Sequence, residues 1–496
     1  MKYSTTSKLD RRSLSASARS SSPTSSPSVD SSNELVKFAC TTFQKPHDHL
    51  SAFVRVLRFV DLSSEDSDSD PDTEGDEENI QTIQTASVYR DILFQLCDIL
   101  THFYNVTELI FHHAMLKLDV FLHMSFMNSL SSVDIAHCEF DDPAADGTFL
   151  PIHHSNPCVP WRSLRLVANK GYETCLDALA GLAATPALES FTTTEWEVAL
   201  AFLVHESQAM TGLKTLHIPC GDLRVVGQFL EATPTIISLT ITRLPAGTPF
   251  SERHLRLPRT ALPSLHTIKC APVLLPELVP GRPVSSVDVS DFGQRPDMPG
   301  DGRLSVDGLF ATLRRSSVPI RSLGIASAVL SKPGAETDFR NFAQLERMTM
   351  CMSGAQDLFV HMIKDMPSWL NTVREGHHPT VRTVDVRFCQ PAEAVPVYDL
   401  DADRIAVAEL FTAMFTGATT ITTSPYIEWR KHASVRRDSV VWKPVVIARD
   451  TVRTHILSMV GTYKAVKDYE GCLSGLFEDK ELTLPLKRVL GIEDDS

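Results

Sequence analysis

The chain has 496 residues, of which 43% are hydrophobic and 22% are charged, and its formal net charge is −14. This hydrophobic content is enough to bury a sizeable core, which excludes wholesale disorder. The acidic surplus is concentrated in residues 65–78, where nine acids and no base occur, so the rest of the chain carries only −5. No dense basic stripe is present, which argues against a nucleic-acid partner.

The ten cysteines are scattered, without a C-x-x-C pair or the dense spacing of a disulfide scaffold. This usage is typical of a reducing compartment. Residues 1–32 lack the apolar segment of a secretory signal, and no stretch approaches the roughly 18 apolar residues that span a bilayer. We therefore expect a cytoplasmic or nuclear protein that has no membrane partner.

Composition divides the chain into three parts. Residues 1–32 are rich in Ser and are predicted to be a disordered tail, because they cannot bury enough apolar area to offset their ordering entropy. Residues 33–424 carry a periodic apolar pattern, interrupted at 63–79 by an acidic insertion that is predicted to be disordered. The pattern is lost over residues 425–496, which are predicted to form a C-terminal capping region.

One local pattern recurs from residue 106 onward. It consists of an apolar residue, two spacers, an apolar residue, one spacer, an apolar residue, two spacers, a small or polar residue, one spacer and an apolar residue. This is the leucine-rich-repeat consensus, and Val106–Leu116 and Leu130–Phe140 fit every position. Other good copies begin at Trp161, Leu213, Leu265, Ile320 and Val381, and weaker copies begin at Leu188, Ile236, Val284, Leu345 and Ala418.

The spacing of the pattern predicts a fold class. The middle apolar residues of each copy lie two apart, so both point to one face of a short strand. Helical periodicity occupies the segments between copies, at 175–184, 196–204, 225–232, 306–313, 355–373 and 406–415. Each unit buries its face only against its neighbours. We predict an α/β fold, an irregular leucine-rich-repeat-like solenoid with a curved parallel sheet and helices on its convex side.

Three segments support a family resemblance: the opening block Glu34–Cys40 with Phe53–Phe59, the unit ending Asn105–Phe111, and the Leu262–Ile268 lead into a strand. With these segments the layout resembles the F-box/leucine-rich-repeat-like proteins of mushroom-forming fungi. The resemblance implies a protein-binding solenoid and, where an F-box is present, docking on the adaptor of a cullin-type ubiquitin ligase. The F-box itself is not recognisable, since no Leu-Pro-x-Glu helix precedes Asn33.

No catalytic or metal-binding motif emerges from the sequence. The phosphate-binding glycine motifs, H-E-x-x-H and G-x-S-x-G are all missing, and none of the three His-His pairs is joined by a second pair at ligand spacing. The run from Asp66 to Glu77 has the spacing of a calcium loop, but Pro71 stands where Gly is required. We therefore expect no catalytic residue, no metal and no cofactor.

In a solenoid of this kind the strand spacers face the concave surface. The spacers are mixed in charge and size, which suits a protein surface better than a phosphate backbone or a lipid. For each residue taken singly, an ordinary solvated strand position is the alternative. The predicted protein-binding residues are Arg58, Ile110, His112, Asp134, Arg165, His217, Thr240, Lys269, Thr349 and Asp385.

Two functional hypotheses follow from these observations. The first is a non-enzymatic, monomeric interaction scaffold for protein partners of unknown identity, with a substrate-recognition subunit related to F-box proteins as its finer form. The alternative is a divergent α/β enzyme with no recognisable catalytic motif, whose strands would form an open, doubly wound sheet. Strand order separates them, because it follows the chain in a solenoid and reverses in a doubly wound sheet.

Overall fold

A computed structural model describes thirteen segments of the chain, together with a few isolated residues at 100, 120–121, 124, 176 and 255. The segments are 55–60, 105–116, 127–140, 161–171, 187–205, 211–242, 257–292, 306–326, 342–352, 378–388, 406–423, 427–433 and 440–446. The predicted tail at 1–32 and the acidic insertion at 63–79 lie outside these residues, as do the helix at 355–373 and nearly all of the helix at 175–184. The domain boundaries therefore stay predictions.

The chain divides into two compact units, Met1–Ile218 and Pro219–Ser496. In the first unit, six strands form a parallel sheet in chain order, a two-stranded parallel pair lies beside it, and one described helix is Trp196–His205. The sheet contains β1 (Val56–Val60), β2 (Glu108–His112), β4 (Ser132–Ala136), β6 (Ser163–Val167), β7 (Ser190–Thr193) and β8 (Thr215–Ile218), and the pair is β3 (Met115–Leu116) with β5 (Glu139–Phe140).

The strands of the second unit also pair in chain order. They are parallel from the first to the seventh, and the last two add in antiparallel fashion. These strands are β9 (Ser238–Ile241), β10 (Thr267–Lys269), β11 (Ser286–Asp288), β12 (Ser322–Ala326), β13 (Arg347–Met352), β14 (Thr383–Phe388), β15 (Thr420–Thr422), β16 (Ile427–Ala433) and β17 (Val440–Val446).

Described helices precede β9 and lie between several strands of the second unit. They are Leu223–Ala232, the 3-10 turn Pro272–Leu274 with Leu275–Leu278, the 3-10 turn Ser290–Phe292, Val306–Leu313, and a π-helix Ala406–Phe411 continued by Thr412–Met414. The helices predicted at 196–204, 225–232, 306–313 and 406–415 are therefore confirmed. None of the described helices combines the length and apolar character needed to cross a bilayer.

This topology confirms the predicted fold class within each unit. Leu109, Val133, Leu164, Phe191 and Leu216 are Cα partners on successive strands, and all are buried. The five weaker copies of the consensus form strands as well. In each copy the first apolar residue is buried, and the strand begins two residues after it. Strand order does not reverse within the described part of either unit, so the doubly wound sheet of the alternative hypothesis is wrong for these strands.

Within each sheet, the register of neighbouring parallel strands rests on the same backbone hydrogen bonds at the strand entrance. The carbonyl of Arg55 accepts the N–H groups of both Thr107 and Glu108, at 2.8 and 3.1 Å. Because each such carbonyl fixes two residues of the next repeat, a slip of one residue would break two bonds and turn the apolar side chains outward. Equivalent carbonyls with two donors belong to Thr107, Ser131, Arg162 and Glu189 in the first unit and to Ile237, His266, Ser285, Arg321, Glu346 and Arg382 in the second.

The turn that follows β6 is held by the polar residue of its consensus copy, Asn169. Asn169 accepts the N–H of Cys138 at 2.9 Å and donates to the carbonyl of Ile135 at 3.0 Å, so its side chain joins two repeats. In the next repeat Glu195 accepts the N–H of Asn169 at 3.0 Å. These contacts satisfy backbone groups that would otherwise be buried without partners.

The antiparallel hairpin of β16 and β17 was not predicted from the sequence. It lies in the region assigned to capping, and β16 pairs with the last parallel strand, β15. The parallel arrangement predicted for the repeats extends to β15, and the hairpin adds to that strand. The alternation of apolar and polar residues is weak in Ile427–Ala433, and Pro444 interrupts Val440–Val446, so the strand signal is poor in both segments.

The cysteines differ in state. Cys138, Cys220 and Cys270 are free and buried, and burial raises the pKa of the Cys138 thiol to about 11 and that of Cys220 to about 12. Cys351 is disulfide-bonded. The scattered spacing did not predict this bond, because separation along the chain does not show which side chains meet in the fold.

We predict that Asn169→Ala lowers the free energy of unfolding by about 1–3 kcal/mol, because it leaves the buried N–H of Cys138 and the carbonyl of Ile135 without partners. Chemical denaturation of the full chain measures the change. The control is Asn128→Ala, at an exposed turn, where we expect a change within about 0.5 kcal/mol. Equal losses in the two variants would contradict this role of Asn169.

Candidate functional site

The side chains that leave the core lie on one face of each sheet, at the first, third and fifth positions of the strands. We call this the strand face. The sequence-predicted residues of the third position share one row in each unit. In the first unit this row is Arg58, Ile110, Asp134, Arg165, Thr192 and His217, and in the second it is Thr240, Lys269, Asp288, Gly324, Thr349, Asp385 and Thr422.

Nine of the ten predicted residues therefore occupy these two rows, and His112 lies two residues further along β2, as the partner of Ala136. The prediction missed Thr192, Asp288, Gly324 and Thr422. The signal was available, because each lies four residues after the first residue of a consensus copy, as Ile110 does after Val106.

The predicted residues are not equally accessible. Ile110 is 6% exposed and Thr349 is 7% exposed, so they form part of the floor of the strand face. Asp134, Arg165, Lys269 and Asp385 are partly exposed. The backbone of Arg58 is placed in β1, but its side chain lies outside the described part of the structure.

The first positions of the strands form a first row on the strand face, and short hydroxyl side chains occupy most of it. Only Glu108 and Arg347 depart from this pattern among the strands β2 to β15 of the two sheets. Because Ser and Thr project little, the charged side chains of the third row remain open to contact from that side. The hydroxyl residues are Ser132, Ser163, Ser190 and Thr215 in the first unit and Ser238, Thr267, Ser286, Ser322, Thr383 and Thr420 in the second.

In the first unit, register brings three predicted residues together, and we call them the first cluster. Arg165 donates from Nη1 to Oδ1 of Asp134 at 2.6 Å, and Nε2 of His112 lies 3.4 Å from Oδ2 of the same carboxylate. The three residues come from β4, β6 and β2, so the cluster exists only when the repeats are stacked. At partial exposure such pairs orient side chains more than they stabilise the fold.

Two histidines lie beside the first cluster. His113 and His137 follow β2 and β4, each with a positive φ near 55°, and their rings stack with centroids 4.9 Å apart. Desolvation lowers the pKa of His137, and the nearby His113, His112 and Arg165 lower it further. The neutral imidazole is therefore the favoured form of His137 in the folded protein.

The second unit carries a larger group of charges, which we call the second cluster: Lys269, Asp288, Asp291, Asp385 and Arg387. Lys269 pairs with Asp291 at 2.5 Å, and Arg387 donates to Oδ2 of Asp385 from Nε at 2.9 Å, with Nη2 at 2.8 Å. Asp288 stands between the two pairs. Only Lys269 and Asp385 were predicted, since Asp291 lies after its strand and Arg387 belongs to the fifth position.

Gly324 allows Asp288 to lean over the neighbouring strand. A Cβ at this position would lie 2.3 Å from Oδ1 and 2.6 Å from Cγ of Asp288. The carboxylate is held there by Ser290, whose N–H and Oγ–H donate to Oδ1 at 3.0 and 2.6 Å. The missing side chain on β12 thus lets charges on β11 and β14 approach each other, with Nη1 of Arg387 3.9 Å from Oδ2 of Asp288.

The chemistry that this face offers is hydrogen bonding and charge pairing. Within the described residues no group of three or more His, Cys, Asp or Glu side chains is arranged to hold a metal ion. The buried thiols of Cys138 and Cys220 remain protonated near neutral pH, which makes them poor nucleophiles.

Comparisons with known proteins add little. No protein-family model matches the chain, and no curated protein matches it. Among solved structures, the chain is similar to a leucine-rich-repeat protein of Leptospira interrogans, at 10% identity and a TM-score of 0.19, over 60% of this chain and 76% of that one. A similarity this weak carries no argument about function, and the fold class rests on the topology of the two sheets.

We predict that Gly324→Ala destabilises the protein by about 1–3 kcal/mol, because the new methyl group must displace the carboxylate of Asp288 from Ser290. Urea denaturation of the full chain measures the loss. In the background Asp288→Ala the same substitution should cost much less, since the clashing atoms are gone. An equal cost in both backgrounds would show that the contact with Asp288 is not the cause.

Proposed function

We propose that this chain is a non-enzymatic scaffold that binds another protein through its strand face. The observation on which the proposal depends is the alignment of partly exposed charges from different repeats over a row of short hydroxyl side chains. Charges of both signs occur along the third row, a mixture that suits contact with a protein surface better than contact with the uniformly negative backbone of a nucleic acid. Asp134 and Arg165 are already oriented by each other, so binding costs little further side-chain entropy.

The non-enzymatic part of the proposal has its own support. Among the described residues, the two clusters on the strand face are built from ion pairs, and none of their members is a Ser, Thr or Cys nucleophile. The partner is proposed to bind a monomer of this chain. A cytoplasmic or nuclear location is also proposed, from the scattered spacing of the cysteines and from the free state of three of the four that the structure describes. The disulfide of Cys351 favours an oxidising compartment instead, because disulfides persist mainly there.

Capture of partner proteins from an extract of the source cells by immobilised full-length chain tests the proposal. The face variant is Asp134→Ala with Arg165→Ala. We expect at least one protein to be retained by the unmodified chain and to lose binding about tenfold or more in the face variant, because truncating a central charged pair at an interface typically costs this much. Quantitative mass spectrometry measures the retained proteins.

A matched control removes an equivalent ion pair elsewhere. Lys214 donates to Glu189 at 2.7 Å, one residue before β8 and β7 respectively, outside the strand face. The variant Glu189→Ala with Lys214→Ala also deletes one acid and one base from neighbouring repeats and leaves the net charge unchanged. It should retain the partner as the unmodified chain does. Identical protein profiles for all three chains would overturn a binding role for this part of the strand face.

A finer proposal is that the scaffold is a substrate-recognition subunit related to F-box proteins of ubiquitin ligases. Its support is the sequence resemblance alone, and the N-terminal residues that would carry an F-box lie outside the described part. We expect a complex between the purified full-length chain and the cullin-ligase adaptor, measured by titration calorimetry. If no heat of binding is detected while the face-dependent partner is still captured, the scaffold proposal stands and the ligase proposal fails.

A further inference from the structure

We propose that an aromatic side chain of the partner protein stacks on the face of the His137 ring that lies toward Ala168. The ring of His113 already covers the opposite face, so the partner would add a third ring to a row that the repeats of β2 and β4 begin. This inference deepens the proposed function and rests on it, since it names the chemistry that the partner presents beside the first cluster.

The same turn follows three successive strands of the first unit. His113, His137 and Ala168 are the first residues after β2, β4 and β6, and their φ angles are 56°, 55° and 52°. The N–H of His113 donates to the carbonyl of Ala136 at 3.0 Å, and that of His137 donates to the carbonyl of Val167 at 2.8 Å. Because conformation and pairing both repeat, the three side chains start from equivalent points and form one row across the strands.

The two histidine rings set the direction and the spacing of this row. Their centroids lie 4.9 Å apart, and their planes are inclined by only 6°. Neighbouring strands of a sheet are separated by about 4.8 Å, so the rings stack along the direction in which the repeats stack. A planar group at the same distance beyond His137 would lie over Ala168.

The surface over Ala168 is open to such a group. The side chain of Ala168 ends at Cβ, and both Ala168 and His137 are exposed. In the next repeat the row reaches Glu195, which is the seventh residue after Leu188 as His137 is after Leu130. The carboxylate of Glu195 is held in place by the N–H of Asn169 at 3.0 Å. Among these four positions of the row, the open one is therefore bounded by an imidazole ring on one side and by a fixed carboxylate on the other.

The surrounding charges favour an uncharged ring over a cation or an acid. Desolvation is the largest cause that lowers the pKa of His137, and Arg165 lowers it further by more than Glu195 raises it. A cation placed on this ring would meet the same net repulsion, and an acid would lie beside the carboxylate of Glu195. A nucleobase could also stack, but its phosphates would be repelled by Glu195 and Asp134. Aromatic side chains, which are enriched in protein interfaces, meet none of these costs.

Two substitutions that copy the neighbouring repeats test the inference from opposite sides. His137→Ala removes the ring, and alanine already occupies the same turn at position 168. Ala168→His fills the open position with a ring, and histidine already occupies the turn at positions 113 and 137. Both new side chains thus tolerate the positive φ, so each variant is expected to fold. Thermal unfolding of the full-length chains checks this before binding is measured.

The probe is a phage-displayed library of random peptides, selected on the unmodified full-length chain and counter-selected on the His137→Ala chain to remove peptides that bind elsewhere. We expect the surviving peptides to be enriched in Trp, Tyr or Phe. Synthetic copies labelled with fluorescein should bind both variants about fivefold more weakly, the loss typical of one aromatic stacking contact. Matched controls are His266→Ala and Ala232→His, at exposed positions of the second unit outside the strand face, and these should bind the peptides as the unmodified chain does.

Three results would overturn the inference: no peptide that survives counter-selection, survivors without aromatic residues, or survivors that bind Ala168→His as tightly as the unmodified chain. A labelled oligothymidine that binds in place of the peptides, with the same dependence on both substitutions, would assign the position to a nucleobase and would also overturn it. The proposed function is tested separately, by capture with the variant of Asp134 and Arg165. A captured partner that depends on that pair but binds His137→Ala normally would leave the scaffold proposal standing and would exclude the aromatic contact.

Discussion

A backbone carbonyl at the entrance of one strand accepts two N–H groups from the start of the next, and this contact repeats through both units. It fixes the register of each repeat on its predecessor. Because a side chain's direction alternates along a strand, a fixed register also fixes which residues enter the core and which reach the strand face. The buried row from Leu109 to Leu216 and the polar row beside it are two consequences of the same constraint.

The strand face acquires its chemistry from this alignment. No single repeat contains the first cluster, because Asp134 meets Arg165 and His112 only across neighbouring strands. The second cluster joins residues of β10, β11 and β14 with Asp291 of the turn after β11, and it depends equally on a missing side chain, since the carboxylate of Asp288 occupies the space above Gly324. Stacking therefore produces composite polar sites that can differ between repeats while the core and the strand entrances stay uniform.

Much of this organisation was predictable from the sequence. The apolar spacing located strands even where the consensus was weak, as in the copies that begin at Leu188 and Val284. The spacing is kept there because these apolar residues are buried in the core. Nine of the ten predicted face residues lie in the expected rows for the same reason. The antiparallel hairpin after β15 was not predictable from this pattern. Its two strands lack the consensus spacing, and Pro444 lowers the strand propensity of the second.

The sequence by itself determined the local structure of the repeats: where each parallel strand begins, which of its side chains are apolar, and which positions leave the core. These depend on periodicity over a few residues, which is a local property of the chain. Only the tertiary structure decided which charges meet across strands, since the pairing of Arg165 with Asp134 depends on the register of the repeats, and the approach of Arg387 to Asp288 depends on the absence of a side chain at Gly324.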